Sequence, residues 1–179
     1  MRKFIIGAGL LLLAACTGKP GPTDELLSER KLDLESFFDG EIVARGQFQD
    51  VFGTVRRRFD VAVNGTWDGQ TLTLVEDFVY EDGATEQRVW TLSKTGPDSW
   101  VGTAPGVEGK ARGIERGDTF NWRYTIDLPV PTADGGNETI KVSFDDWMWL
   151  LSEDRLLNRA YVRRYGVDIG DVIIIFEKQ

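Results

Sequence analysis

The chain is rich in carboxylates but poor in the other side chains that do chemistry. Its 179 residues include 29 acidic and 21 basic residues, one cysteine and no histidine. Without an imidazole there is no Ser-His-Asp triad, no Cys-His pair and no histidine metal ligand, so acid–base work would fall to carboxylates, lysines or tyrosines. The formal net charge of −8 argues against nucleic acid as a partner, because a phosphate backbone needs a basic face.

One glutamate and two arginines fall on apolar faces of neighbouring predicted strands. Alternation puts Glu76 among the leucines and aromatics of its strand, with Arg57 on the strand before and Arg88 on the strand after. The predicted turns place Glu76 beside Phe59 and near Arg88, with Arg57 one diagonal step away. An isolated buried charge is costly. The three therefore form either a paired network near the rim of a filled barrel or a clamp for a carboxylate or phosphate group.

Aromatic residues at alternate positions could line a cavity. Between positions 118 and 128 one strand face carries Phe120, Trp122, Tyr124, Ile126 and Leu128. Core packing and the wall of a lipid-binding cavity would give the same pattern, so both interpretations stay open. The candidate ligand-binding residues are Arg57, Glu76, Arg88, Trp90, Trp122 and Tyr124.

The run over 144–149, Phe-Asp-Asp-Trp-Met-Trp, joins two adjacent carboxylates to two tryptophans. It has three interpretations: a metal site, an acid–base pair, or a strand end whose aromatics cover the barrel mouth. Neighbouring strand residues point to opposite faces, so Asp145 and Asp146 would not chelate one ion together. We therefore expect no metal and no cofactor. One aspartate should cap a helical turn around 147–154, while the tryptophans pack or meet a membrane interface.

The N-terminal residues carry a targeting signal. A basic pair precedes an apolar run over 4–13, which has the length of a secretory segment and is too short to span a bilayer as a helix. The run ends in Leu-Ala-Ala-Cys at 13–16, which resembles the lipobox of bacterial lipoproteins, whose cysteine receives diacylglycerol and other acyl chains such as palmitate. The resemblance implies a signal peptide over 1–15 and lipidation of Cys16.

That signal also implies a location and a domain organisation. Thr17 stands where aspartate would favour inner-membrane retention, so analogy with lipoprotein sorting favours the periplasmic face of the outer membrane. The lipidated cysteine, a tether and a lead-in occupy 16–36, and one β-barrel domain occupies 37–179. The lead-in is either a short helix or an extended segment that plugs one end of the domain.

The elements that must position these residues are short strands. From about residue 41 the alternating pattern is interrupted by turn residues every 8 to 14 positions, including Asn64-Gly65 and Asp82-Gly83. About ten strands and little helix predict an all-β, antiparallel, up-and-down, lipocalin-like barrel, because closure removes exposed edges. A two-sheet sandwich is the alternative.

Several runs resemble a family of proteobacterial lipoproteins that is a domain of unknown function. They are the segments 76–83, 88–90, 128–130, 144–148, 158–159 and 165–166, of which Phe-Asp-Asp-Trp-Met at 144–148 is the most specific. The resemblance covers about residues 37–178 and implies a lipocalin-like barrel with no established activity or catalytic residues. The family's recurrent motif positions match Glu76, Arg88, Asp145, Asp146, Trp147, Asn158 and Arg159 here.

These observations lead to a functional hypothesis with two alternatives. We expect a lipid-anchored barrel that binds a lipid or small amphipathic ligand, such as a fatty acid or phospholipid, in envelope lipid maintenance or stress response. One alternative is a lipid-modifying enzyme using carboxylate and tyrosine chemistry. The other is a structural lipoprotein with a filled barrel that meets a protein partner through Trp147 and Trp149.

Overall fold

Alternating apolar and polar residues form ten antiparallel strands in the computed structural model, which describes residues 18–26, 28–132 and 136–179. The strands follow chain order around the barrel, and β1 pairs with β10 to close it. Their bounds are β1 Gly40–Asp50, β2 Val55–Trp67, β3 Thr71–Tyr80, β4 Thr85–Gly96, β5 Ser99–Thr103, β6 Ala111–Arg116, β7 Thr119–Pro131, β8 Asn137–Leu150, β9 Arg155–Arg164 and β10 Val167–Lys178. The predicted up-and-down barrel is confirmed. A two-sheet sandwich is excluded, because the ten strands form one closed sheet.

The turn between β2 and β3 differs from the predicted one. Asn64-Gly65 is not a turn, because β2 continues to Trp67 and the chain reverses at Asp68, whose Oδ1 accepts hydrogen bonds from the N–H groups of Gln70 and Thr71. A glycine is needed at position 65 because the backbone of Phe38 in α1 approaches β2 closely there. A Cβ there would lie 1.7 Å from the Phe38 carbonyl oxygen.

One end of the barrel is plugged by a single turn of helix, α1 Leu34–Phe38. Asp33 caps it by accepting a hydrogen bond from the Ser36 N–H. The side chains of Leu34, Phe37 and Phe38 are buried, and burying each contributes about 1.5–3 kcal/mol. The lead-in thus combines both predicted forms, an extended segment followed by a short helix.

A buried carboxylate fastens the plug to the barrel wall. Glu115 on β6 is only 5% exposed, and its Oε1 accepts hydrogen bonds from the Leu34 N–H at 2.9 Å and from Trp100 Nε1 at 3.2 Å. Lys94 on β4 pairs with Glu35 of α1. These contacts hold the plug in one position.

The two ends of the barrel therefore differ. The closed end consists of α1 and the turns at 68–70, 97–98, 117–118 and 151–154. The opposite end, called the mouth below, carries the turns at 51–54, 81–84 and 165–166. No helix crosses the barrel at the mouth within the described ranges.

The region around 147–154 is not helical. β8 runs through to Leu150 and β9 begins at Arg155, so the predicted helical turn there is wrong. The Leu150 N–H donates to the Asp118 carbonyl, which keeps the chain in the sheet up to its last β8 residue.

Residues 1–15 and Cys16 lie outside the described residues, so the signal peptide, the lipidation and the three domain boundaries stay predictions. None of the helices in the part of the chain that the structure describes has the length and apolar character needed to cross a bilayer.

Candidate functional site

The barrel encloses a cavity of about 290 Å³ that extends from α1 toward the mouth. At about 30 Å³ per water molecule, this is the space of about ten waters, so the barrel is hollow. Most of the lining is aliphatic or aromatic, including Leu34 and Phe38 at the closed end and Phe48, Phe59 and Val130 toward the mouth. Such a lining suits the apolar part of a small ligand.

Glu76 and Arg88 face each other across β3 and β4, as the sequence predicts. Glu76 lies inside the barrel and faces the cavity. Burial raises the pKa of Glu76 to about 7, although the Arg88 guanidinium favours its charged form and Glu86 opposes it. At neutral pH this carboxyl is therefore shared between its acid and its carboxylate forms.

The hydrogen bond of Arg88 goes to a different carboxylate. Its Nη2 lies 2.5 Å from Oε1 of Glu86, two positions along β4. Oε2 of Glu86 accepts a hydrogen bond from the Tyr80 hydroxyl at 2.8 Å. Burial alone would raise the pKa of Glu86, but Arg88 and Tyr80 hold it below its usual range. Glu86 and Tyr80 are parts of the site that the sequence analysis missed, although both alternate in phase with Glu76 and Arg88.

Arg57 does not lie beside Glu76, and its predicted position is wrong. β2 pairs with β3 four residues out of the predicted register, so Val63 rather than Phe59 is opposite Glu76. The shift follows from the turn at 68–70, which lengthens β2. Arg57 instead lies at the mouth, where its guanidinium stacks 3.4 Å from the Tyr80 ring centre and contacts Asp82 at 3.2 Å.

A second carboxyl faces the cavity from the opposite wall. Asp146 on β8 is 6% exposed, and its Oδ1 has no hydrogen-bond partner among the described residues. Burial, followed by repulsion from Asp145 and Glu76, raises the pKa of Asp146 to about 8, while Tyr124 and Arg88 act in the other direction. At neutral pH this group is mostly the protonated acid, which can donate a hydrogen bond into the cavity.

Aromatic side chains surround these polar groups. The Trp90 ring contacts Trp122 and Tyr124 edge-on at centroid distances of 5.7 and 5.0 Å, and Tyr124 stacks on Phe144 at 5.0 Å. Trp90, Trp122 and Tyr124 all line the cavity. Burial and the nearby Asp146 carboxyl raise the pKa of Tyr124 well above its usual value, so it remains a neutral hydrogen-bonding group. The three residues therefore face the cavity as predicted, and their role in binding stays a prediction.

The remaining motif residues divide between the two faces of the sheet. Asn158 faces the cavity, is 2% exposed and donates a hydrogen bond to the Trp147 carbonyl at 3.3 Å. Trp147 stacks against Trp149 on the outer face. Arg159 also points outward, where its Nε lies 2.5 Å from Asp171.

The two aspartates of this motif do not cap a turn. Asp145 accepts hydrogen bonds from Asn121 and Arg123 outside the barrel, whereas Asp146 lines the cavity. The predicted capping role is therefore wrong. Their placement on opposite faces follows from the strand pleat. No group of three or more acidic or cysteine side chains that could hold a metal ion occurs among the described residues.

The site thus contains two carboxyls of raised pKa, a tyrosine and an arginine in an apolar enclosure. Protonated Asp146 and Tyr124 can donate hydrogen bonds, Glu76 can accept or donate one, and Arg88 supplies a fixed positive charge. Such a set can hold an oxygen-bearing head group. It can also transfer a proton, because its carboxyl pKa values lie close to neutral.

Comparison with known proteins identifies a family and a shared fold. A family model described as "Protein of unknown function (DUF3833)" matches residues 10–178. No curated protein matches the chain.

Two solved structures share the barrel. The S-type phycobiliprotein lyase CPES from Guillardia theta superposes with a TM-score of 0.59 at 8% identity, over 83% of this chain and 93% of that one. A protein of unknown function from the DUF3598 family of Nostoc punctiforme gives a TM-score of 0.54 at 11% identity, over 84% of this chain and 50% of that one. At such identities the similarity is one of fold.

Proposed function

Since the chain belongs to the DUF3833 family of proteins of unknown function, we propose from its site that the barrel binds a small, mainly apolar ligand with one oxygen-bearing head group. A fatty acid or another lipid of that kind is the ligand class. The observation that carries the proposal is the Oδ1 of Asp146, a buried polar atom with no partner in the described structure, which faces a cavity of about 290 Å³. A ligand oxygen would give that atom the hydrogen bond it lacks.

The charges in the cavity support a carboxyl, ester or hydroxyl head group rather than a phosphate. Arg88 already donates to Glu86 and lies opposite Glu76, so its positive charge is largely compensated. A doubly charged group would meet two carboxyls inside an apolar enclosure, at a high desolvation cost. A single oxygen acceptor beside protonated Asp146 has no such cost.

The aromatic walls would hold the tail. Trp90, Trp122 and Phe144 present ring faces and edges to the cavity, and apolar surface removed from water contributes about 25 cal/mol per Å². The hollow interior disfavours the alternative of a filled structural barrel. The barrel of the phycobiliprotein lyase has the same overall shape, which is compatible with a ligand-holding role here.

We also propose that the protein is a lipoprotein anchored through Cys16 at the periplasmic face of the outer membrane. The apolar run over 4–13 and the Leu-Ala-Ala-Cys sequence at 13–16 support this. A lipid ligand would then be at hand in the membrane that holds the protein, in keeping with a role in envelope lipid maintenance or stress response.

Native mass spectrometry of the protein extracted from its own membranes tests the binding proposal. We expect a bound species of lipid mass, and binding of a fluorescent fatty-acid probe after the ligand has been removed. Asp146→Leu should weaken probe binding, while Asp145→Leu, on the outer face of the same strand, should not. The absence of both a bound mass and probe binding would overturn the proposal.

A second candidate function is proton-transfer catalysis on the bound lipid, as in an isomerase. The presence of two carboxyls with pKa values of about 7 and 8 beside Tyr124 favours it, because such values suit acid–base groups. Incubating the loaded protein in D₂O separates the two functions. A pure binding protein leaves the ligand's carbon-bound hydrogens in place, whereas a catalyst introduces deuterium that Glu76→Gln abolishes without loss of binding.

A further inference from the structure

The extended N-terminal segment runs along the outside of the barrel from one end to the other. At its C-terminal end the Leu32 N–H donates to the Gly117 carbonyl at the closed end. Toward its N-terminus Lys19 forms an ion pair of 2.6 Å with Asp168, which follows the turn at the mouth. From Leu32 back to Lys19, the chain therefore runs from the plug to the mouth.

This path fixes the region where an anchor would attach. Two residues lie between Cys16 and Lys19, and the three Cα–Cα steps from one to the other span at most about 11 Å. The ion pair with Asp168 and a cation–π contact of 5.1 Å with Tyr161 hold Lys19 against the mouth half of β9 and β10. A lipid on Cys16 would therefore attach to the barrel on the side of the mouth half of β9 and β10.

Exposed apolar side chains are concentrated at the same end. Nine large hydrophobic side chains are exposed among the described residues, and six of them lie in or beside the mouth turns. The six are Val51, Phe52, Val55, Val79, Tyr165 and Val167. Phe52 and Tyr165 are each 88% exposed, which is far more than these residue types usually are in a soluble barrel.

The conformation of Tyr165 points to the same surface. Its φ of 52° lies in the left-handed region, and Gly166 follows with φ 78°. Two successive positive φ values are typical of a type I′ hairpin, where asparagine and glycine are the favoured residues. A tyrosine accepts this strained position here and thereby projects its ring beyond the end of the barrel.

Three of the turns at the mouth are less acidic than the chain as a whole. The segments 50–58, 79–85 and 163–168 together carry five arginines and four acids, a formal charge of +1, on a chain of −8. Among them, Arg56 and Arg58 expose more than half of their side chains behind the apolar tips, while each also pairs with a carboxylate, Arg56 with Asp50 and Arg58 with Glu81. Apolar tips backed by arginines match the order of layers at a bilayer surface, with acyl chains below anionic head groups.

We propose that the mouth of the barrel docks on a lipid bilayer, with Phe52 and Tyr165 inserted at the level of the head groups. The anchor and the apolar tips then contact the same membrane. The end of the cavity nearest the mouth then faces that membrane, and a ligand that enters there reaches the site without crossing water. Only this last consequence rests on the proposed ligand binding, since docking itself depends on the tips.

Spin labels on the full-length protein test the docking. Phe52→Cys and Tyr165→Cys place the label at the mouth, and Leu151→Cys places it on an exposed residue of the closed end as a matched control. The wild-type protein, labelled in parallel, measures any label taken up by Cys16. Each protein is reconstituted on vesicles of phosphatidylethanolamine and phosphatidylglycerol, and label accessibility to oxygen and to a water-soluble nickel chelate is measured.

We expect the mouth labels to become several-fold more accessible to oxygen than to nickel on the vesicles, while the Leu151→Cys label keeps its accessibility in water. Equal accessibility at both ends would overturn the proposal. If the mouth labels were also protected from the nickel chelate without vesicles, and showed dipolar broadening, the proposal would be overturned in favour of contact between two copies of the chain. Because the labels report docking whether or not the cavity is filled, this result is independent of a failure to detect a bound ligand.

Discussion

Asp145 and Asp146 are consecutive in the chain but have opposite environments. Oδ1 of Asp145 lies 2.7 Å from Asn121 and 2.9 Å from Arg123 on the outer face. Oδ1 of Asp146 is buried and lacks a partner among the described residues. Leaving a buried polar group unsatisfied costs about 1–3 kcal/mol, so the protein retains Asp146 at the expense of stability. This cost supports the proposal that Asp146 binds an oxygen of the ligand.

We predict that replacing Asp146 changes how stability depends on pH. An unfolded aspartate has a pKa of about 3.9. The folded pKa of Asp146 is about 8. Between these values the folded state holds a proton that the unfolded chain has lost, so this group lowers the free energy of unfolding as the pH rises. Asp146→Asn does not titrate, so it removes this loss of stability at higher pH. In urea unfolding, we expect the free energy of unfolding of the variant to exceed that of wild type by a margin that grows by up to about 1.4 kcal/mol per pH unit from pH 5 to 8 and then levels off.

Asp145→Asn is the matched control for that experiment. It removes an ion pair on the outer face of the same strand, worth less than about 1 kcal/mol, and also the repulsion that helps to raise the pKa of Asp146, so we expect a smaller change in pH dependence than for Asp146→Asn. If both variants gave the same pH dependence, the burial of Asp146 would not be its cause.

Filling the cavity should abolish ligand binding without unfolding the barrel. Ala160 is 3% exposed, lies opposite Asp146 in the sheet and lines the cavity, so Ala160→Met directs a larger side chain into it. We expect fatty-acid probe binding to fall at least about tenfold, which corresponds to about 1.4 kcal/mol. Ala62→Met, on the outer face of β2, should bind like wild type. Undiminished binding by Ala160→Met would place the probe outside the barrel.

Glu115 should prove to be a structural acceptor at the closed end. Glu115→Ala leaves the Leu34 N–H and the Trp100 indole N–H without their buried acceptor, at about 1–3 kcal/mol for each group. Glu115→Gln keeps an acceptor oxygen and should lose less. Equal losses of the two variants in urea unfolding would mean that the charge, rather than the hydrogen bonds, holds the plug.

Gly65 should tolerate no side chain. The Cβ of Gly65→Ala would lie 1.7 Å from the Phe38 carbonyl oxygen, so α1 must move, and we expect a loss of about 3 kcal/mol or more in the free energy of unfolding. Gly96→Ala meets only the Ser99 side chain at 3.6 Å and should stay within about 1 kcal/mol of wild type. Comparable stability of the two variants would show that the plug can shift without cost.

The fold could be predicted from the sequence because alternation and turn residues carry that information locally. The alternation predicts about ten strands, and the barrel has ten. The errors came from tertiary contacts. Asn64-Gly65 has the sequence of a tight turn, but the approach of Phe38 requires that glycine inside a strand.

The site was predicted in part for the same reason. The pairing of Glu76 with Arg88 spans one short turn, and it was predicted correctly. The predicted position of Arg57 relied on the turn between β2 and β3. Because that turn lies elsewhere, the predicted register, and with it the predicted neighbour of Arg57, is wrong. Asp146 acts electrostatically on Glu76 and Arg88 from across the barrel. Local sequence patterns cannot predict the distance between β3 and β8, because that distance is set only when the sheet closes into a barrel.

The pairing of β1 with β10 also has a consequence for how the chain folds. Ile42 pairs with Lys178, so the seam of the barrel joins segments from the two ends of the described sequence. Contacts of such high sequence separation carry a large loop-closure entropy and place a chain among the slow folders, in milliseconds to seconds. Until Val167–Lys178 has been synthesised, β1 and β9 both remain unpaired edges that are open to aggregation. Reaching the native state thus depends on protecting the nearly complete chain until its last strand arrives.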